Sequence, residues 1–211
     1  MTREDRAAHW DRVFARRDEA VVSWYEPSPD LSLAQIRRLG LDRDAPIVDV
    51  GTGLSRLPDR LLGLGYRDLT LLDVSAEAIA RGEQRRREAG LGAPAAVSTV
   101  VADVTAWRPE RRFRLWHDRV VLHFLTDEAE RDAYRRVLEA ALVPGGHALV
   151  ATFAPDGPER CSGLPVRRYG PGELAEFAAP TLELVDSIAF DHSTPTGAIQ
   201  RCHLGHLRRP A

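Results

Sequence analysis

From Pro46 onward this 211-residue chain alternates short apolar runs with amphipathic stretches, and that alternation constrains its fold more than any other feature. Ile47-Val48-Asp49-Val50 leads into Gly51-Thr52-Gly53, then a helix from about Arg56 to Leu64, then Gly65. Leu69-Thr70-Leu71-Leu72-Asp73 reads as a second strand, and Ser75 caps the next helix with Glu77 in its first turn. Val97 to Val101, followed by Asp103, and Phe113 to His117, followed by Asp118, read as the third and fourth. Thr126 is placed to cap an amphipathic helix whose apolar side carries Tyr134, Val137, Leu138 and Leu142. Pro144-Gly145-Gly146 then turns into a fifth strand, His147 to Phe153. Strands alternating with helices fold as a parallel, doubly wound α/β sheet. After Phe153 come a short helix near Glu173–Phe177 and two strand-like runs, Leu182–Phe190 and Ile199–Leu207. These two are expected to pair as an antiparallel hairpin at the sheet edge, turning at Thr194-Pro195-Thr196-Gly197.

Ahead of the sheet, Thr2 to about Glu19 reads as a helix, with Thr2 and Asp5 as its cap and Trp10, Val13 and Phe14 on one face. Trp24-Tyr25-Glu26-Pro27-Ser28-Pro29 breaks it, and a short helix runs from about Leu31 to Gly40. Nothing reads as a linker or a repeat. The expectation is one domain over residues 1–211: an N-terminal helical cap (1–44), a cofactor-binding core (45–153), and a substrate-side loop with the C-terminal hairpin (154–211).

Composition narrows the chemistry. All 29 basic residues are Arg, and there is neither Lys nor Asn. A pyridoxal-phosphate enzyme, a P-loop NTPase and a kinase each need a lysine, so all three are excluded. A net charge of −2 gives no field to recruit nucleic acid or an anionic membrane, and Arg85-Arg86-Arg87 reads as a solvated helix face. With no long apolar run and a polar start, the chain is expected in the cytoplasm. Its two cysteines, Cys161 and Cys202, are expected to be free. Cys202-His203-Leu204-Gly205-His206 lies on a strand, where His203 and His206 point to opposite faces, so no metal site is expected.

In a doubly wound sheet the ligand sits outside the carboxyl ends of the strands. Here those ends carry Asp49, Gly51-Thr52-Gly53, Asp73, Asp103 and Asp118. Glycines after the first strand let backbone approach a ligand, and an acid closing the second strand suits ribose hydroxyls. That pair alone serves NAD equally well. A dinucleotide fingerprint, however, wants a third glycine where Arg56 stands. The carboxylate-rich cleft also repels pyrophosphate and suits a ligand carrying an ammonium and a sulfonium, as S-adenosylmethionine does.

Val48-Asp49-Val50-Gly51-Thr52-Gly53, Leu72-Asp73-Val74-Ser75, Val101-Ala102-Asp103-Val104 and Leu142-Val143-Pro144-Gly145-Gly146 resemble the successive motifs of class I S-adenosylmethionine-dependent methyltransferases. The resemblance implies a Rossmann-like doubly wound α/β fold, a seven-stranded sheet of order 3-2-1-4-5-7-6 with strand 7 antiparallel, under an N-terminal helical lid. It implies S-adenosylmethionine as cofactor and S-adenosylhomocysteine as product. Asp49, Gly51, Thr52 and Gly53 would then hold the methionine part, Asp73 and Val74 the ribose, and Asp103 and Val104 the adenine. Asp118 and Arg119 would line the transfer pocket, with Trp10 closing over the cofactor.

On the substrate side, Trp24, Tyr25, Phe153 and Cys161 are the candidate contacts, with residues 153–165 as a substrate loop. His123 is the candidate general base, an internal role being its alternative, whereas His117 reads as packing. A small-molecule acceptor leads. A protein acceptor is the alternative, because Gly53-Leu54-Ser55 resembles the Gly-x-Ser loop of protein-lysine methyltransferases. An NAD-binding or non-catalytic nucleotide-binding module is the third reading.

Overall fold

Every residue of Ile47–Val50 (β1) and of Leu69–Asp73 (β2) is buried, as strands covered on both faces require. The computed structural model describes residues 2–16, 22–91 and 96–211. Helices Arg3–Arg16 (α1) and Asp30–Arg38 (α2) precede β1, and Leu57–Gly63 (α3) joins it to β2. Ala76–Glu88 (α4) leads to Val97–Val101 (β3), then Phe113–Arg119 (β4), Glu128–Ala141 (α5) and Leu142–Phe153 (β5). A small hairpin, Arg160–Cys161 (β6) with Leu164–Pro165 (β7), precedes Pro171–Ala178 (α6), Glu183–Ser193 (β8) and Ile199–Arg208 (β9).

The main sheet has seven strands in the order β3-β2-β1-β4-β5-β9-β8. β1 to β5 pair in parallel, and β9 runs antiparallel between β5 and β8. Apart from the extra β6–β7 hairpin, this is the expected order and the expected antiparallel edge. The alternating side chains divide the core. Val48, Val50, Trp116, Ala148 and Val150 pack with Tyr134 and Leu138 of α5 and Leu174 of α6. Ile47, Leu71, Leu115 and Leu149 pack on the other face with Ile36, Leu57, Leu61 and Ile79 of the first helices. Each fully buried aliphatic of this kind contributes roughly 1.5–3 kcal/mol.

Local chemistry moves two expected boundaries. Asp127, not Thr126, caps α5, because its extended backbone lets the carboxylate accept the Ala129 amide at 2.8 Å. Pro144-Gly145-Gly146 lies inside β5 instead of turning into it, because Gly145 N donates to Arg209 O at 3.0 Å and Arg209 N to Gly146 O at 2.9 Å. The expected end of the first helix, at about Glu19, lies outside the described residues.

The α1 cap forms as expected: Asp5 N donates to Thr2 Oγ1 at 3.1 Å and Thr2 N to Asp5 Oδ2 at 3.2 Å. α1 docks through polar groups. Asp11 Oδ1 accepts Ser75 Oγ at 2.6 Å and Glu77 N at 3.2 Å, so one helix caps the start of another. Arg81 donates to Phe14 O, and Arg6 pairs with Asp103 and Glu130.

Candidate functional site

The carboxyl ends of β1 to β4 open into a cavity roofed by α1 and by the segment 22–29. Its floor begins at the turn after β1, where Gly51 and Thr52 donate to Leu72 O at 2.7 and 3.1 Å. Gly51 has φ +64°, and a Cβ there would lie 2.0 Å from Val121 Cγ2. Only glycine permits both the backbone conformation and that approach. Gly53 N donates to Asp73 Oδ2 at 2.7 Å, and Ser75 N to Asp73 Oδ1 at 2.8 Å. Asp73 is buried, and burial pushes its carboxyl up to about 6 despite these amides.

Asp49 is held on both oxygens: Thr52 Oγ1 donates to Oδ2 at 2.8 Å, and His117 Nδ1 lies 2.7 Å from Oδ1. His117 Nε2 lies 2.9 Å from Ser32 Oγ on α2. At the far end, Asp103 Oδ1 accepts Thr105 N at 2.8 Å, and Oδ2 receives the buried Arg6 guanidinium. Val74, Val104, Trp10, Trp24, Tyr25, Arg119 and Cys161 complete the expected residues that line the cavity. Burial pushes the Cys161 thiol up, which holds it as a thiol.

Three expected site residues lie elsewhere. Asp118 is fully buried and does not line the cavity; it accepts Val121 N at 2.7 Å, Leu122 N at 3.0 Å and Tyr134 Oη at 2.6 Å. Strand parity explains this: Asp118 shares the α5 face of β4 with Trp116, whose Nε1 donates to the same tyrosine at 2.9 Å. His117 and Arg119 take the other face and reach the cavity, so the reading of His117 as packing alone is also corrected. Burial pushes the Asp118 carboxyl up to about 6 and holds the Tyr134 hydroxyl protonated.

His123, the expected base, is fully buried in the 3-10 turn Leu122–Phe124, and neither ring nitrogen has a hydrogen-bond partner among the described residues. Its ring packs 4.3 Å from Phe124 and 4.7 Å from Phe153. Burial pushes it down to about 3, so it is neutral. Phe153, the third, is buried in a cluster with Cys161 and Cys202. Both cysteines are free, as expected.

Sequence reading missed Arg6, Phe14, Glu26, Arg56 and Phe124, which also line the cavity. The four-residue spacing of Arg6, Trp10 and Phe14 was a usable signal, since it stacks them on one helix face. Glu26 had none: it reaches the cavity because Arg119 Nη2 lies 2.8 Å from its Oε1. Val120, next to Arg119, has φ 67°, a conformation costly for a β-branched residue and held here by its amide bond to Ala151 O at 2.9 Å.

A sheet of this order, with a glycine turn after β1 and a carboxylate closing β2, defines an α/β protein that binds a nucleoside-bearing cofactor at its switch point. Residues 47–146 match the family described as a methyltransferase domain. That match, over 100 of the 211 residues, supports a class I S-adenosylmethionine-dependent methyltransferase. Over 82 residues it is 34% identical to the eEF1A lysine and N-terminal methyltransferase of Danio rerio; the match covers 39% of this chain and 12% of that relative. The chain thus matches only about an eighth of that relative's length. Among solved structures, the protein described under conversion of a disulfide bond into a thioacetal group during echinomycin biosynthesis superposes with a TM-score of 0.75 at 23% identity, covering 97% of this chain and 93% of that one. The 1,6-didemethyltoxoflavin-N1-methyltransferase of Burkholderia thailandensis, with its substrate and S-adenosylhomocysteine bound, gives 0.70 at 24% identity, covering 99% and 87%. No helix among the described residues is long and apolar enough to cross a membrane.

Proposed function

We propose that this chain methylates a small molecule. The observation that carries the reading is the aromatic lining of the cavity beneath α1, where Trp10, Trp24, Tyr25 and Phe124 stand with Glu26 and Cys161 on what we take as the acceptor side. A wall of aromatic side chains keeps water from the reacting atoms and suits a small, largely apolar acceptor. When bound, S-adenosylmethionine supplies an electrophilic methyl group on a sulfonium.

The residues present fit that cofactor. The left-handed glycine turn brings backbone to the cavity floor, and Asp49 and Asp73 put carboxylates where cationic and hydroxyl groups are received. In this reading Asp49 with the 51–53 turn holds the methionine part, and Asp73 with Val74 the ribose. Val104 lines the adenine, with Asp103 beside it already engaged by Arg6. Arg119 shapes the acceptor wall, and no buried histidine is needed to move the acceptor's proton. The Burkholderia neighbour, a 1,6-didemethyltoxoflavin-N1-methyltransferase, supports the reading. The zebrafish relative favours a protein acceptor instead.

Two measurements test this. Calorimetry is expected to show S-adenosylhomocysteine binding and NAD failing; tighter NAD binding overturns the cofactor assignment. Incubation with methyl-labelled S-adenosylmethionine and a cell extract is expected to leave label in the low-molecular-weight filtrate. Label confined to the protein precipitate overturns the small-molecule reading.

A further inference from the structure

The charges around the cavity pair off unevenly. At the cofactor end Asp73 meets only backbone amides. At the acceptor end the charged lining residues are Glu26 and Arg119, and they neutralise each other at 2.8 Å. Both terminal nitrogens of Arg119 are engaged: Nη1 donates to Trp24 O at 2.8 Å and Nη2 also reaches His192 Nδ1 at 3.3 Å. His192 in turn lies 2.8 Å through Nε2 from Ser23 O, and burial with the Arg119 charge pushes it down, so it adds no cation. Glu26 is different. Its Oε1 carries the contacts to Arg119 and, at 3.8 Å, His192, while Oε2 has no partner among the described residues. Beside it Trp10 meets Trp24 edge-on at 5.7 Å and Phe124 at 5.1 Å.

We infer that the methyl acceptor is an uncharged, planar aromatic molecule carrying one O–H or ring N–H, which donates to Glu26 Oε2 while its ring packs against Trp10, Trp24 and Phe124. The inference rests on the small-molecule reading above. An ammonium finds the Glu26 charge cancelled by an adjacent guanidinium, and a carboxylate finds the Arg119 charge cancelled by Glu26, so either enters at a desolvation cost without an unpaired opposite charge. A neutral donor needs only the free oxygen, and flat aromatic surfaces pack favourably against edge-to-face rings. In the transfer, the acceptor's lone pair forms the bond to the methyl carbon. The carbon–sulfur bond breaks with its electron pair left on sulfur, and the acceptor's proton passes to Glu26 Oε2 and on to water.

A matched ring series tests this on the full chain saturated with S-adenosylhomocysteine, with affinities read by ligand-observed NMR. The probes are 2-naphthol, its methyl ether, 2-naphthylmethylamine and 2-naphthoic acid. The naphthol is expected to bind at least about tenfold more tightly than the other three, the effect of one hydrogen bond to a charged acceptor. Equal or tighter binding of the ammonium, the carboxylate or the ether overturns the inference, as does failure of all four to bind. Glu26→Ala is expected to remove the preference for naphthol and raise naphthoate affinity by about tenfold or more, because Arg119 is then uncompensated. An unchanged order in that variant, with S-adenosylhomocysteine affinity retained, also overturns it. Label found on protein in the extract experiment refutes the small-molecule reading itself, a separate outcome from a wrong order among the probes.

Discussion

His117 Nδ1 lies 2.7 Å from Asp49 Oδ1, across the β1–β4 pairing, with both side chains buried at the cavity wall. The imidazole ties the first acid of the site to the buried Ser32 on α2, so that helix helps to orient a carboxylate at the cavity wall. His117→Leu removes both bonds and takes the partner from Asp49 Oδ1 and Ser32 Oγ, leaving Asp49 held by Thr52 alone. It is expected to weaken S-adenosylhomocysteine binding about tenfold, and His117→Asn, whose amide still donates, to recover part of the loss. Calorimetry on the two variants decides.

Asp73 carries two amides of the cofactor turn and is the acid expected to receive ribose hydroxyls. Charge-assisted bonds are worth roughly 1.5–3 kcal/mol each, so Asp73→Ala should weaken S-adenosylhomocysteine at least about tenfold. Unchanged affinity with an intact circular dichroism spectrum removes Asp73 from the site.

Gly51 has no room for a side chain. Gly51→Ala adds strain at φ +64° and a collision with Val121, together roughly 2–5 kcal/mol. Thermal unfolding should show a lower Tm, and Gly51→Ala with Val121→Ala should recover only the collision part. Full recovery in the double variant indicates that the backbone conformation costs nothing.

His123 makes a claim about pH. Folding pushes its pKa from 6.5 down to about 3, so below about pH 6.5 the unfolded chain takes up a proton that the folded chain refuses. This group's contribution to stability therefore falls as pH drops from about 6.5 toward 3, by roughly 2 kcal/mol at pH 5. Asp73 and Asp118, pushed up to about 6, act in the opposite sense, holding protons in the fold that the unfolded chain releases. His123→Leu should raise Tm, more at pH 5 than at pH 7.5, while methyl transfer persists. A variant that loses transfer but keeps the fold returns His123 to the reaction.

α1 buries only Arg6 and Phe14 and is held to the body by polar contacts and by the edge-on packing of Trp10 on Trp24 and Phe124, all of it at the cavity roof. Amide exchange and protease sensitivity of α1 should fall when S-adenosylhomocysteine is added. Deleting residues 1–25 should abolish transfer and leave a folded sheet. Equal protection with and without ligand, and unfolding on deletion, identify α1 as core packing.

The alternation of strands and helices and the acids at β1, β2 and β3 were legible in the sequence because they depend on local periodicity and on where each apolar run stops, whereas the strand order was implied by the family resemblance alone. Period-two parity was equally available, but which face of β4 looks at α5 and which at the cavity depends on pairing with β1 and β5. Hence Asp118 went to Tyr134 and His117 to Asp49, the reverse of the sequence reading. His123 follows the same logic: a 3-10 turn, not an extended strand, sets its direction and buries it. Arg6 meets Asp103, and Glu26 meets Arg119, through contacts between residues about a hundred positions apart, which no local pattern encodes. The sequence by itself determined the doubly wound sheet and its glycine turn, because propensity and periodicity act over a few neighbours. Tertiary structure alone decided which charges are paired, which are buried and which face the cavity, because burial and Coulomb pairing depend on distance in space.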